Sequence, residues 1–174
     1  LPVKQVLSGD PLALPAELRA EACESGRQWT WDGVRFQLWQ WPSASDSNQK
    51  SCVLQIEAKG ERILLTGDID SAAERALLDS PLAVTTDWLQ APHHGSRSSS
   101  SAALLAVLQP KAVLISRGNG NSFGHPHPTV VARYQKRGMA IHDSAEQGAI
   151  RLHLGRFQPP WTMRQERRFW RSTQ

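Results

Sequence analysis

The hydrophobic pattern changes rhythm once along the chain, near residue 70. Between Arg27 and Pro42 apolar and polar positions alternate, with Trp29 and Trp31 on one side of Asp32-Gly33 and Val34, Phe36 and Leu38 on the other. A period of two puts one set of side chains on one face of a strand, and Asp-Gly suits the two-residue turn whose central positions take positive φ. This predicts a β-hairpin. The polar stretch 43–50 leads to two apolar runs, "CVLQIEA" (52–58) and "RILLTGD" (62–68), separated by Lys59-Gly60-Glu61, and these predict a second hairpin. Ahead of them, "LPVKQVLSGDP" predicts a strand broken at Ser8-Gly9-Asp10-Pro11. "PAELRAEAC" (15–23) predicts a short helix with Pro15 near its first turn.

Beyond residue 70 strand-like and helix-like blocks take turns. "SAAERALL" (71–78) predicts a helix with the Ser71-x-x-Glu74 spacing of a capping box. "VTTDWLQAP" (84–92) predicts a strand, "SAALLAVL" (101–108) a helix and "KAVLIS" (111–116) a strand. "PTVVARYQKRG" (128–138) predicts a helix opened by Pro128 and closed by Gly138, and "MAIHD" (139–143) and "GAIRLHL" (148–154) predict two closing strands. Hairpins followed by alternating strands and helices predict a mixed α/β (α+β) fold, a sheet packed against helices. From Gln158 the chain turns Pro-, Arg- and Trp-rich and loses periodicity, so residues 156–174 read as an extension outside a core domain of residues 1–155.

Composition narrows the class without naming a function. At 174 residues, 40% hydrophobic and 21% charged, the chain reads as one globular domain. Its apolar runs are far shorter than the roughly 20 residues that cross a bilayer. Leu1-Pro2-Val3 is neither an initiator methionine nor a signal peptide, and reads as the start of a piece of a longer protein. The net charge is +4, and from Arg156 onward the chain carries five Arg against one Glu, so the excess sits in the tail. Two cysteines, Cys23 and Cys52, make either one bridge in an oxidising compartment or two small buried residues in a reducing one.

The chemistry gathers in two loops. Four of the six histidines lie in "PHHGS" (92–96) and "GHPHP" (124–128), as His93, His94, His125 and His127, each loop following a predicted core strand. A third such strand ends in "TGD" and delivers Asp68. Ligands of α/β folds bind at the carboxyl ends of strands. One carboxylate with several imidazoles there is a donor mixture suited to Zn²⁺ or Mn²⁺ in a hydrolytic site. Gly67, Gly95 and Gly124 permit the tight turns this requires. His142 and His153 lie inside predicted strands and read as structural. "GSRSSSS" (95–101) and "RGNGN" (117–121) are weaker phosphate-binding candidates, the latter without a P-loop lysine. In the tail, Phe157, Trp161, Phe169 and Trp170 among arginines have the composition of a single-strand-binding segment or of a partly docked extension.

The succession "SCVLQIEAKGERILLTGDI", "WLQAPHHGSRSSS", "VLISRGNGNSFGHPHPTVV" and "DSAEQGAI" closely resembles the metallo-β-lactamase-like domain at the C-terminus of the ComEC family of competence DNA-uptake channels. The resemblance covers roughly residues 1–155, and the "WTWDGV" hairpin is similar too. It implies a metallo-β-lactamase-like αββα sandwich on the periplasmic side of the bacterial inner membrane, joined to the remaining parts of the channel protein. It implies a two-metal Zn or Mn site that hydrolyses DNA phosphodiesters of the strand not taken up. Asp68 matches the bridging carboxylate of that family, and the two histidine pairs match later ligands and a substrate-contacting histidine. The expected metal set is thus Asp68, His93, His94, His125 and His127, with Asp68, His94 and His127 acting on substrate. A periplasmic setting implies a Cys23–Cys52 disulfide.

The family's early His-x-Asp-x-Asp-His motif has no counterpart in these residues, so the expected fold is incomplete at its N-terminal side and the chain alone is expected to be metal-poor or inactive. Two other readings remain beside the nuclease: a non-catalytic module that holds single-stranded DNA beside the channel, and a hydrolase of another phosphodiester such as a phosphorylcholine head group.

Overall fold

The alternating residues of 27–42 pair as a hairpin in the computed structural model, which describes residues 3–165. Strand β1 (Leu7–Ser8) and β2 (Glu21–Ala22) form a parallel two-residue ladder apart from the main sheet. The hairpin is β3 (Gln28–Trp31) and β4 (Val34–Trp39), turned through Asp32 at φ 49° and Gly33 at φ 76°. The second hairpin is β5 (Val53–Ala58) and β6 (Glu61–Leu65). Next come α1 (Ser71–Leu78), β7 (Trp88–Gln90), α2 (Ala102–Leu108), β8 (Ala112–Ile115), α3 (Pro128–Lys136), β9 (Ala140–Asp143) and the short α4 (Ser144–Gln147). Strands β10 (Ile150–Arg151) and β11 (Trp161–Thr162) close the described chain.

Strands β3 to β9 lie side by side in sequence order as a seven-stranded sheet. The first four are antiparallel, and β6 to β9 are parallel because each is joined to the next through a crossover on one face. That face carries the main core. Val53, Leu64, Leu89, Val113 and Ile115 from the strands meet Leu77 of α1, Leu104 and Leu108 of α2, and Val130 and Tyr134 of α3. Ile63, Trp88 and Ala112 point to the other face, where Leu152 and Leu154 pack on them. The described residues thus build one main sheet layer and one helix layer, a mixed α/β architecture.

The structure corrects several sequence expectations. The helix expected from Pro15 is a single 3-10 turn, Ala16–Leu18, ended by Arg19 at φ 45°. A short helix is held by burial of one face, and Leu18 stays exposed. The capping box is not formed. Asp70, not Ser71, caps α1, accepting from Ala72 N–H (2.9 Å) and Ala73 N–H (3.0 Å), while Glu74 turns inward. Burial opposes ionisation of Asp70, but the Gln49 amide and those two N–H groups outweigh it and hold its pKa below the usual value. The strand expected over 148–154 shrinks to β10, which pairs with β11 rather than with the main sheet. Part of the segment read as an extension is therefore docked: Thr162 is buried, and Arg151 stacks over the Trp161 ring at 5.2 Å. Phe169 and Trp170 lie outside the described residues.

Cys23 and Cys52 are joined as a disulfide with Cα atoms 5.8 Å apart, stapling the N-terminal strap to the start of β5. The bridge closes a separation of 29 residues, for which chain entropy assigns roughly 3–4 kcal/mol. Reduction is expected to lower the unfolding free energy by that amount, read from urea midpoints with and without dithiothreitol. An unchanged midpoint refutes it.

Candidate functional site

The edge where β6, β7 and β8 end is stitched together by backbone N–H groups, two bonded to carbonyls and one to a serine hydroxyl. Asp68 N–H donates to Ser51 Oγ at 3.0 Å, His93 N–H to the Gly67 carbonyl at 3.0 Å, and His127 N–H to the Gly95 carbonyl at 2.8 Å. Two glycines make this approach possible. A Cβ on Gly67 would sit 2.8 Å from Ser51 Cβ, and one on Gly95 2.7 Å from Pro126 Cβ, with φ of 58° and 81°. In the turn Pro92–Gly95, His93 (φ 47°) and His94 (φ 55°) are both left-handed. Non-glycine residues in that region cost of order 1–3 kcal/mol each and persist where the surroundings over-determine them, often at functional sites.

The side chains follow from this frame. His94 donates Nδ1–H to the Ser116 carbonyl at 2.6 Å, which turns Nε2 toward Asp68 Oδ1 at 3.4 Å. The His93 ring lies 6.4 Å from His94 and 5.6 Å from His125 between centroids. Among the described residues, His93 Nδ1 and His125 Nδ1 are buried without a hydrogen-bond partner. An unsatisfied buried nitrogen costs about 1–3 kcal/mol, and an ion or water is the usual partner. Burial, followed by the neighbouring His93 and His94, lowers the His125 pKa, which favours the neutral, ligand-competent imidazole. The donor set fits a divalent cation in type. Among the described residues, however, no three His, Cys, Asp or Glu side chains are set to hold one ion together, so these loops furnish part of a coordination sphere.

His127 stands apart. It is the N-cap of α3, where its Nδ1 accepts from Thr129 N–H at 3.3 Å and lies 2.8 Å from Thr129 Oγ1. Its proton is therefore on Nε2, which suits donation to an anionic oxygen better than ligation. His142 packs against Trp88 at 6.1 Å and approaches Gln147, and His153 is exposed beyond β10. Neither joins the cluster.

The serines of 95–101 are occupied internally. Ser99 Oγ donates to the Pro92 and Ser96 carbonyls at 2.7 and 2.9 Å, Ser101 Oγ caps α2, and Ser100 Oγ meets Tyr134 Oη at 2.6 Å. Burial pushes the Tyr134 hydroxyl up to about 12. Glu74, fully buried in α1, accepts the N–H groups of Ser100 and Ser101. Sequence reasoning missed Ser51, Ser116, Thr129 and Glu74 as site-forming residues, and weighed Asn121 only as part of a phosphate-binding loop. Asn121 and Thr129 are near their histidines in the chain, and the short spacings "NSFGH" and "HPT" carry a local signal. Ser51 and Glu74 act across folds of 17 and 26 residues, with no sequence mark.

Residues 26–118 match the family model described as Metallo-beta-lactamase superfamily, a span that includes Asp68, His93 and His94. The chain is also similar to three curated proteins. It is 37% identical over 77% of its length to the Escherichia coli protein YcaI. It is 35% identical over 75% to competence protein ComA of Neisseria gonorrhoeae, and 31% identical over 76% to recombination protein 2 of Haemophilus influenzae. It spans 18%, 19% and 17% of those relatives' own lengths. A seven-stranded mixed sheet, histidine-bearing loops at the ends of its parallel strands and a family match that spans β3 to β8 lead to one assignment: the chain belongs to the metallo-β-lactamase superfamily.

Proposed function

We propose that this chain is the hydrolytic part of a DNA-uptake channel protein, a metal-dependent nuclease that cleaves phosphodiesters of the non-transported strand on the periplasmic side of the inner membrane. The observation that carries the reading is the convergence of Asp68, His93, His94 and His125 at one strand edge, with two buried imidazole nitrogens that have no hydrogen-bond partner among the described residues. The name of one relative, competence protein ComA, supports the pathway. Among the described residues no helix is long and apolar enough to cross a membrane, so the membrane-spanning part of such a channel belongs to other segments.

Asp68, His93, His94 and His125 would supply part of the ligand set of Zn²⁺ or Mn²⁺, which would bring Lewis-acid activation of water and of a phosphoryl oxygen. The chain's own residues do the rest. Ser51 orients the Asp68 backbone, Ser116 fixes the His94 tautomer, and His127 offers its Nε2–H to a phosphate oxygen.

The test is cleavage of an end-labelled single-stranded oligonucleotide by metal-stripped full-length protein and by the 174-residue chain. Product that forms on addition of Mn²⁺ or Zn²⁺ and stops with EDTA is expected from the full-length protein. Binding without cleavage in both metals replaces the reading with a DNA-holding module, and hydrolysis of small diesters but not DNA replaces the substrate.

A further inference from the structure

Phe123 is 81% exposed at the tip of the loop that delivers His125. A large apolar ring normally leaves water, and this one is held in place. Asn121 Nδ2–H donates to the His125 carbonyl at 2.7 Å, and His125 N–H donates to Asn121 Oδ1 at 3.0 Å, clamping the loop 121–125 at both ends. The Phe123 ring stacks beside the His125 ring, 5.9 Å between centroids and 22° between planes. It forms one wall of a cleft of about 320 Å³ that also borders His94, Ser116, Arg117 and Asn121. At Gly118 and Gly120, also in this loop, a Cβ would meet nothing within 4 Å, so the loop leaves open space around it.

The charged group in this cleft is already engaged. Arg117 donates Nε–H to Asp143 at 2.6 Å and approaches Glu146 at 3.4 Å. What the cleft offers a ligand is therefore a flat ring face and shape, next to the proposed hydrolytic residues. A nucleobase has that complement: every base presents a π-face, and stacking on an aromatic side chain is tolerant of sequence.

We propose that Phe123 is the stacking platform for a nucleobase of single-stranded nucleic acid, and that the base it holds sets the adjacent phosphodiester over His94 and His125. The proposal deepens the nuclease reading and rests on it. Stacking on one ring is worth about 5- to 150-fold in affinity.

The experiment measures binding by fluorescence anisotropy, in EDTA, of labelled 12-mer oligothymidylate and an abasic 12-mer of the same charge to the 174-residue chain. Oligothymidylate is expected to bind more tightly than the abasic strand, within that fold range. Phe123→Ala removes the difference and leaves abasic binding unchanged, and Phe123→Trp restores it. If Phe123→Ala retains the wild-type preference, or the wild type shows none, the platform is overturned while the DNA reading stands. If neither strand binds at any concentration, both fall together.

Discussion

On the proposed nuclease reading, with Asp68 as a metal ligand, replacing Asp68 by alanine should lower metal-dependent DNA cleavage by on the order of 10³-fold, with little change in stability. Loss of a residue one shell removed from a metal already costs about 10- to 100-fold in affinity or activity, so loss of a direct carboxylate ligand exceeds it. Asp68 carries the carboxylate facing His94 at 3.4 Å, and its side chain is 40% exposed. Partial exposure means that truncation leaves no cavity and changes the unfolding free energy by no more than about 0.5 kcal/mol. Asp68→Asn should behave almost the same, since it keeps the shape and removes the charge. The measurement pairs cleavage rates with Mn²⁺ titration by calorimetry: both must fall while the urea midpoint holds. Wild-type cleavage by Asp68→Ala protein would remove Asp68 from the site.

The second large effect is on the fold. Glu74 is fully buried, and its two carboxylate oxygens accept the Ser100 and Ser101 N–H groups across a separation of 26 and 27 residues. Ser100 itself sits at φ 54° and touches Tyr134, and Arg133 donates to the Ser99 and Ser100 carbonyls, both at 3.0 Å. Glu74→Ala leaves two buried donors without an acceptor, each costing about 1–3 kcal/mol, and opens a void, for a total of about 4–5 kcal/mol. Glu74→Gln keeps one acceptor and should lose about half of that. Burial raises the Glu74 pKa above its ordinary 4.5 despite the opposing pull of Ser101, Ser100 and Arg133. The sign follows from linkage: the folded state favours the protonated form, so this group's stabilising share is complete below pH 4.5 and is lost as pH rises through the higher folded value. The stability gap between wild type and Glu74→Gln should therefore narrow from pH 4 to pH 7. A gap that widens over that range would falsify this account of Glu74.

Much of the fold was legible because it is periodic. The alternation around Asp32-Gly33 and Lys59-Gly60 locates both hairpins, and Pro128 and Gly138 bracket α3 to within two residues. Where the reading failed, burial or partner choice decided. Pro15–Cys23 has helix-like composition but no apolar surface to pack against, so it makes one turn. Ser71 and Glu74 have capping-box spacing, yet Asp70 sits one residue earlier and takes the cap. Glu74 was then free to serve a buried loop that the sequence does not connect to it.

The same division holds at the site. Residue types and order, Asp68 after TGD and the histidines in PHHGS and GHPHP, are local properties, and the sequence alone determined that these groups end three core strands. It also carried the superfamily, since a family match over residues 26–118 needs only the sequence. Which nitrogen of each imidazole is free was decided only in three dimensions. It depends on a carbonyl at Ser116 for His94, on the start of α3 for His127, and, for Nδ1 of His93 and His125, on burial with no hydrogen-bond partner among the described residues. Hydrogen-bond partners are set by the register of parallel strands and by loops that meet across tens of residues, and short-range pattern carries no record of such meetings.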